Sequence, residues 1–485
     1  MSQFSVAQLS VSPDATIATA MERLVETGSR VLFVVDDSRL LGSVSDGDIR
    51  RALLAAQTMQ SPVHAAMNTK VQVVRDDSPQ AEVNAMLARG IDVIPLVDSA
   101  GSIKRLITSA SELYVPVAEP NIGGRELNYV IECMQSSWIS STGHFVQDFE
   151  SSFRDYVGGN EAVAVANGTL GLVLALQALG IGRDDEVIVP DVTFGATANA
   201  VFQVGARPVF MDIDPDTWGL SAAEVERGIT SRTKAVMPVH LYGRPVDLRG
   251  IMEVSKRHGL VVVEDCAEAF GTRTVDGHVG TLGEAGVFSF FANKTITTGE
   301  GGMVVFRDPA VASRARSTRS HGMSTARRYW HEEWGSNYRL TSLQAAVGLA
   351  QLERADELVD AKREIAERYR LKLGPLEALG GTLPSESPGT VNSYWLYTII
   401  LPPGISRSAV VRDMGSRGFE TRPTFPRLSR QPAFADSRSL VAEDSFAEVL
   451  DRRGLSLPSS TRLTRATVDA VSEALIDVIQ DLVAG

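Results

Sequence analysis

The 485-residue chain carries 47 Lys and Arg against 59 Asp and Glu, a net charge of −12, and its length calls for two or three domains. With 44% hydrophobic and 22% charged residues it reads as a globular protein, and the acid excess argues against a nucleic-acid partner, whose phosphates need a basic surface. Cys133 and Cys266 supply neither a disulfide framework nor zinc-ligand spacing, and neither a signal pattern nor a membrane-length apolar run is present, so a cytoplasmic protein without a metal or a membrane partner is expected.

The first segment repeats itself. TAMERLVETGSRVLFVVDD (19–37) and EVNAMLARGIDVIPLVDS (82–99) share an order of amphipathic helix, glycine, β run and aspartate, and Gly28 and Gly90 stand 62 residues apart. Two such units would bury their open faces on each other. Residues 1–115 resemble a tandem cystathionine-β-synthase (CBS) pair, a module that often binds adenine nucleotides. The resemblance implies ligand contacts at Ser45 and Asp48 of SVSDGDIRR and at Thr108, whereas Ser111 replaces the second aspartate. Asp48 would serve equally well as the cap of the helix DIRRALLAA.

PVAEPNIGG (116–124) has the composition of a domain boundary. Beyond it, apolar β runs at 162–166, 186–190, 208–212, 235–240, 260–265, 286–290 and 302–306 alternate with helical patterns such as LGLVLALQALG and DLRGIMEVSKRHG. Continuous apolar strands of this kind predict a mostly parallel sheet covered on both faces. A long helix with a possible break is expected over 340–373, then a strand at NSYWLYTIIL (392–401) in a smaller α+β domain.

Ligands of open α/β sheets sit at the carboxyl ends of strands, where four features fall. Asn167-Gly168-Thr169 is a turn into a helix, an arrangement that can bind phosphate and is also a common cap. Glu264 and Asp265 end a strand, so only one of the two can face a given pocket. An acid there can keep a heterocyclic nitrogen protonated, or simply cap a helix. FSFFANKTITTGEGG places Ser289 and Lys294 before three glycines; a buried lysine becomes a nucleophilic amine, while a lone one more often snorkels to solvent. Phe194 could stack on a flat ring or sit in the core. Taken in order, phosphate turn, aromatic, acid, serine and lysine are the parts needed to hold pyridoxal 5′-phosphate (PLP).

Residues 116–485 resemble the fold type I PLP-dependent nucleotide-sugar aminotransferases. The likeness is carried by WISSTGHFVQDFE, NGTLGLVLALQALGIGRDDEVIVPDVTFGATANAV, PVHLYGRPVDL, EDCAEAFG, FSFFANKTITTGEGGMV and NYRLTSLQAAVGLAQLE. It implies an α/β chain with an aspartate-aminotransferase-like large domain over 116–370, a seven-stranded sheet, and a small α+β domain over 371–485. It also implies Lys294 as the Schiff-base lysine and proton shuttle, Asp265 on the pyridinium nitrogen, and Gly168, Thr169 and Ser289 on the phosphate. Phe194 would stack on the cofactor, Glu268 would face its phenolic oxygen, and Asn337 would reach the phosphate of a neighbouring subunit in a homodimer. Trp138, His331 and Arg422 are substrate-contact candidates by position.

Within the family, HVGTLGEAGVFSFFANKTITTGEGG, RRYWHEEWGSNYR and ETRPTFPRL are most similar to the subgroup that moves an amino group from L-glutamate to C4 of GDP-4-keto-6-deoxy-D-mannose for surface polysaccharide. Ser336 and Ser429 depart from that subgroup's pattern, which leaves a UDP- or dTDP-linked sugar, or amination at C3, as an alternative. A PLP-binding regulator without turnover is a third reading. The intact lysine, acid and phosphate turn favour catalysis over it.

Overall fold

The structure is a computed structural model that describes residues 5–75, 78, 86, 91, 93–108, 115–324 and 326–484. The chain divides into two compact units, one of residues 1–115 with 415–419, the other of residues 116–414 with 420–485.

The first unit contains two three-stranded sheets of like design. In each, a two-residue strand runs parallel to the first arm of an antiparallel hairpin: Val31–Asp36 with Arg39–Ser45, and Val93–Val97 with Ile103–Thr108. The register of the hairpin slips between Val34 and Val35 in the first and between Leu96 and Val97 in the second, so the sequence repeat reappears as a repeated β-bulge. The copies meet edge on, Leu40 N–H donating to Gly101 O (3.0 Å) and Ile103 N–H to Ser38 O (3.1 Å). Residues 82–85, 87–90 and Ser111, which belong to the second expected copy, lie outside the described residues, as does the side chain of Thr108. Ser45 and Asp48 form a capping box on helix Asp46–Leu54: Asp48 N–H donates to Ser45 Oγ (3.3 Å), while Ser45 N–H (2.9 Å) and Oγ–H (2.6 Å) donate to the Asp48 carboxylate.

The second unit is built on an eight-stranded sheet. Its strands are β1 (Glu161–Val165), β2 (Glu186–Pro190), β3 (Arg207–Met211), β4 (Thr233–Val236), β5 (Val261–Asp265), β6 (Ala285–Ser289) and β7 (Gly302–Phe306). Three later strands are β8 (Tyr397–Ile400), β9 (Arg422–Pro423) and β10 (Arg438–Ser439), and the last is β11 (Gly454–Leu457). The order in the large sheet is β10-β3-β2-β4-β5-β6-β7-β1, so the seven expected strands gain β10 as a two-residue edge. Only β7 runs antiparallel to its neighbours. A separate antiparallel sheet has the order β8-β11-β9.

Alternation along the strands fills both faces. Val163, Val165 and Val287 join one buried cluster while Ala162, Ala164 and Phe288 join the other. Helix α1 (His144–Val157) sends Phe145, Phe149 and Phe153 into the second cluster. Helix α2 (Gly168–Ala178) is apolar on nearly every face because it is buried along most of its length, its first turn alone opening to a cavity. The long helical stretch expected over 340–373 is two helices, α3 (Ser342–Leu352) and α4 (Ala355–Lys372). The strand expected over 392–401 narrows to β8, because Tyr394 takes a left-handed φ of 48° and breaks the extended run before it. Among the described residues no helix is long and apolar enough to cross a membrane.

Candidate active site

A cavity of about 600 Å³ opens where β1, β2, β5 and β6 end. It gathers Gly168, Thr169, Phe194, Asp265, Glu268, Ser289, Lys294 and Arg422, eight of the residues singled out from the sequence.

Its floor is a turn that requires glycine. Asn167 caps α2 by accepting from Leu170 N–H (2.9 Å), which leaves Gly168 and Thr169 among the first-turn amides that have no partner within the helix. A Cβ on Gly168 would stand 3.0 Å from Ser289 Cβ, and one on Gly302 would stand 2.8 Å from the Asn167 carbonyl carbon and 2.9 Å from Gly168 N. Glycines therefore let β6 and β7 press against the turn. Ser289 Oγ accepts only a long 3.4 Å bond from Phe291 N–H, so its hydroxyl hydrogen can donate outward. Amide donors, a threonine and a serine around a notch without side chains suit a phosphate dianion.

Lys294 sits in the connection from β6 to the antiparallel β7, its side chain 13% exposed. Its Nζ is 3.9 Å from Glu268 Oε1 and 3.5 Å from the centroid of the Trp395 ring. Burial lowers its pKa, opposed by the charges of Glu268 and Asp265. Glu268 is pushed up to about 7 by burial and accepts from Tyr242 N–H (2.8 Å). Asp265 is 4% exposed and accepts from Thr197 Oγ1–H (2.8 Å) and Ala267 N–H (3.1 Å). Burial raises its pKa as well, so a cationic partner arriving in the cavity would be welcome there.

Strand alternation decides between the two adjacent acids. Asp265 faces the cavity, and Glu264 turns to the opposite side, fully buried. It accepts from His240 Nε2 (3.1 Å) and from the amides of Gly280, Leu282 and Gly283. Burial alone would raise its pKa, but these donors hold it below the ordinary value. Val246 N–H donates to His240 Nδ1 (3.3 Å), which leaves the ring proton on Nε2 for Glu264. His240, Glu264 and Cys266 lie close enough to share an ion, yet hydrogen bonds already engage the ring and the carboxylate.

An aromatic wall that sequence reasoning missed completes the site. The ring of Trp395 stacks with Tyr242 (6.2 Å, 14°), Tyr242 stacks with Phe425 (5.5 Å, 15°), and Phe425 lies 5.8 Å from Phe194. Phe194 is 60% exposed at the rim. Trp395 donates its indole N–H to Asn293 O (2.8 Å), and Phe425 N–H donates to Tyr242 Oη (3.1 Å). The aromatic run NSYWLY was the available signal, but its reading as a strand hid it.

Other residues singled out from the sequence fall elsewhere. Arg422 lines the cavity on β9 and donates to Glu420 (2.9 Å). Trp138 is 60% exposed, His331 is exposed with Nδ1 2.8 Å from His321 O, and exposed Asn337 accepts from Arg339, all outside this chain's cavity lining. Ser429 gives its hydroxyl to Asp191 (2.8 Å), which also holds Arg427 (2.8 Å), so the serine pins the segment after β9.

The sequence profile of the DegT/DnrJ/EryC1/StrS aminotransferase family matches residues 120–476, and that of the CBS domain matches residues 6–55. The GDP-perosamine synthase of Caulobacter vibrioides is 46% identical over 370 residues, 75% of this chain and 98% of the relative. That of Escherichia coli O157:H7 is 42% identical, over 76% of this chain and 99% of the relative. Among solved structures, the aminotransferase TlmJ from Streptoalloteichus hindustanus superposes with a TM-score of 0.72 at 34% identity, covering 76% of this chain and all of that one. An aminotransferase from Psychrobacter cryohalolentis does so with a TM-score of 0.72 at 30% identity, covering 75% and 98%.

Proposed function

The chain belongs to the DegT/DnrJ/EryC1/StrS aminotransferase family, and on that premise we propose that it moves an amino group from L-glutamate to C4 of GDP-4-keto-6-deoxy-D-mannose, giving GDP-perosamine. The observation that carries the reading is the convergence of a buried amine, a buried acid and a glycine-walled phosphate notch on one cavity. The GDP sugar is chosen because three relatives named GDP-perosamine synthase are 46%, 42% and 41% identical over most of their lengths.

The residues fit PLP, the cofactor of this family. Bound there, PLP supplies an electron sink for the carbon that loses a proton. Gly168, Thr169 and Ser289 hold the phosphate in the notch, where a side chain at 168 would intrude. Asp265, buried and short of a cation, keeps a ring nitrogen protonated, and Thr197 fixes its orientation. Lys294 Nζ anchors the group and moves the substrate proton, its basicity reduced by burial toward working pH. Glu268, 3.9 Å from that amine, would exchange a proton with it, and Phe194 would offer a ring at the rim against which the bound group could stack. Arg422 offers a cation to an anionic substrate group.

The test is incubation of the purified chain with PLP, L-glutamate and a panel of keto sugars. Formation of 2-oxoglutarate together with a C4-amino GDP sugar, identified by mass spectrometry and NMR, supports the reading. Turnover only of UDP- or dTDP-linked sugars moves the substrate. Cofactor absorbance without any glutamate half-reaction leaves a regulator.

Two further parts belong to the same reading. Two chains share their active sites, a view supported by Asn337, exposed and away from its own chain's cavity. Light scattering that shows a monomer would end it. The unit of residues 1–115 takes an adenine nucleotide at Ser45, Asp48 and Thr108, which requires the Asp48 cap to exchange its partners. Unchanged melting with ATP, ADP and AMP would leave Asp48 a cap alone.

A further inference from the structure

One buried amine has no part in the chemistry above. Lys362, on α4, is 4% exposed and donates to two backbone carbonyls, Trp395 O (2.9 Å) and Ser459 O (2.5 Å). Among the described residues no carboxylate pairs with it. Taking an ammonium out of water for carbonyl partners alone is costly, and a methionine would fill the same space more cheaply.

What the lysine holds is the platform of the working amine. Trp395 is tied at its backbone by Lys362 and at its indole by Asn293 O (2.8 Å), the carbonyl directly before Lys294. The ring between these ties lies 3.5 Å from Lys294 Nζ. Its approach is also set by Tyr394, held in a left-handed turn at φ 48° by a bond from its N–H to Asn392 Oδ1 (2.8 Å). A strained residue persists only where its surroundings over-determine it, and Lys362 is one of those surroundings.

We propose that Lys362 is a positioning residue for Lys294, acting through the ring of Trp395. The ring face attracts the protonated amine and sets where it rests, and Lys362 keeps the ring from drifting. The titratable groups that act on Lys294 are Glu268 at 3.9 Å, Asp265 on β5 and, from α4, Lys362, whose own pKa burial lowers to about 7. This inference rests on Lys294 being the working amine, so its test needs neither cofactor nor turnover.

The full-length, cofactor-free chain is acetylated with acetic anhydride across pH, and the rate at Lys294 is read by peptide mass spectrometry. Trp395→Leu removes the attraction to the ammonium and is expected to raise the rate at neutral pH by roughly 2- to 30-fold. Lys362→Met is expected to raise it too, because the ring loosens. A lysine acting only by its charge predicts the opposite, since losing a like charge favours the ammonium. The double variant is expected to match Trp395→Leu alone. A slower or unchanged rate in Lys362→Met, or effects that multiply in the double variant, overturns the proposal. Should Lys362→Met fail to fold, Lys362→Gln, whose amide ends one atom short of the lysine amine and so loosens both carbonyl ties, must still accelerate labelling, and its absence is equally fatal. In the loaded enzyme, Lys362→Met is expected to lower kcat with KM for glutamate unchanged. A failure of the aminotransferase reading would show as missing turnover while the labelling pattern persists.

Discussion

Replacing Gly302 by alanine puts a methyl group where β7 crosses the phosphate turn. The new Cβ would stand 2.8 Å from the Asn167 carbonyl carbon and 2.9 Å from both Asn167 O and Gly168 N. All three are backbone atoms, so no rotamer change relieves the contact. Separation to ordinary van der Waals distance asks for a movement of roughly 0.5 Å, and a misplacement of that order at a binding site costs about tenfold in function. The strand cannot give, because Gly302 is paired with Ser289 on one side and Val165 on the other. The turn must therefore move, at about 1–3 kcal/mol of stability. PLP affinity, followed by absorbance titration, is expected to fall about tenfold or more, and urea unfolding to report the lost stability. Gly374→Ala is the control, since nothing lies within 4 Å of its Cβ position. A Gly302→Ala protein that binds PLP within twofold of the parent and unfolds at the same urea concentration would refute the reasoning.

Lys294→Met is expected to abolish turnover by at least about 10³-fold while leaving the melting temperature unchanged or higher, because a desolvated amine is removed. Glu268, at about 7 when folded and near 4.5 when unfolded, binds its proton more tightly in the native state, so cofactor-free stability should decline as pH rises from 4.5 to 7. Urea titrations of the parent against Glu268→Gln should show a steeper decline in the parent, by about 3 kcal/mol at most, the remainder in the variant coming from Asp265, whose pKa burial also raises. Asp191→Asn weakens the buried pair with Arg427 (2.8 Å) and should cost about 3 kcal/mol of stability in the same measurement.

Local signals carried much of this protein. The apolar runs that became β1 to β7 read as buried strands because parallel strands covered on both faces need no alternation. The turn at Asn167, the pair of acids that ends β5 and the lysine among glycines were legible because each depends on its immediate neighbours. So was the 62-residue repeat, which returned as a bulge at the same place in two hairpins. Beyond local reach lay the choice between Glu264 and Asp265, which rests on where β5 stands in the sheet, and the antiparallel course of β7. The wall of Trp395 and Phe425 takes its middle ring, Tyr242, from more than a hundred residues away. Nothing near Trp395 in the chain announces that Lys362 grips its carbonyl. Spacing and polarity along a chain decide which elements form, but a pocket is made where the ends of distant elements meet, and only packing in three dimensions decides which side chains arrive there.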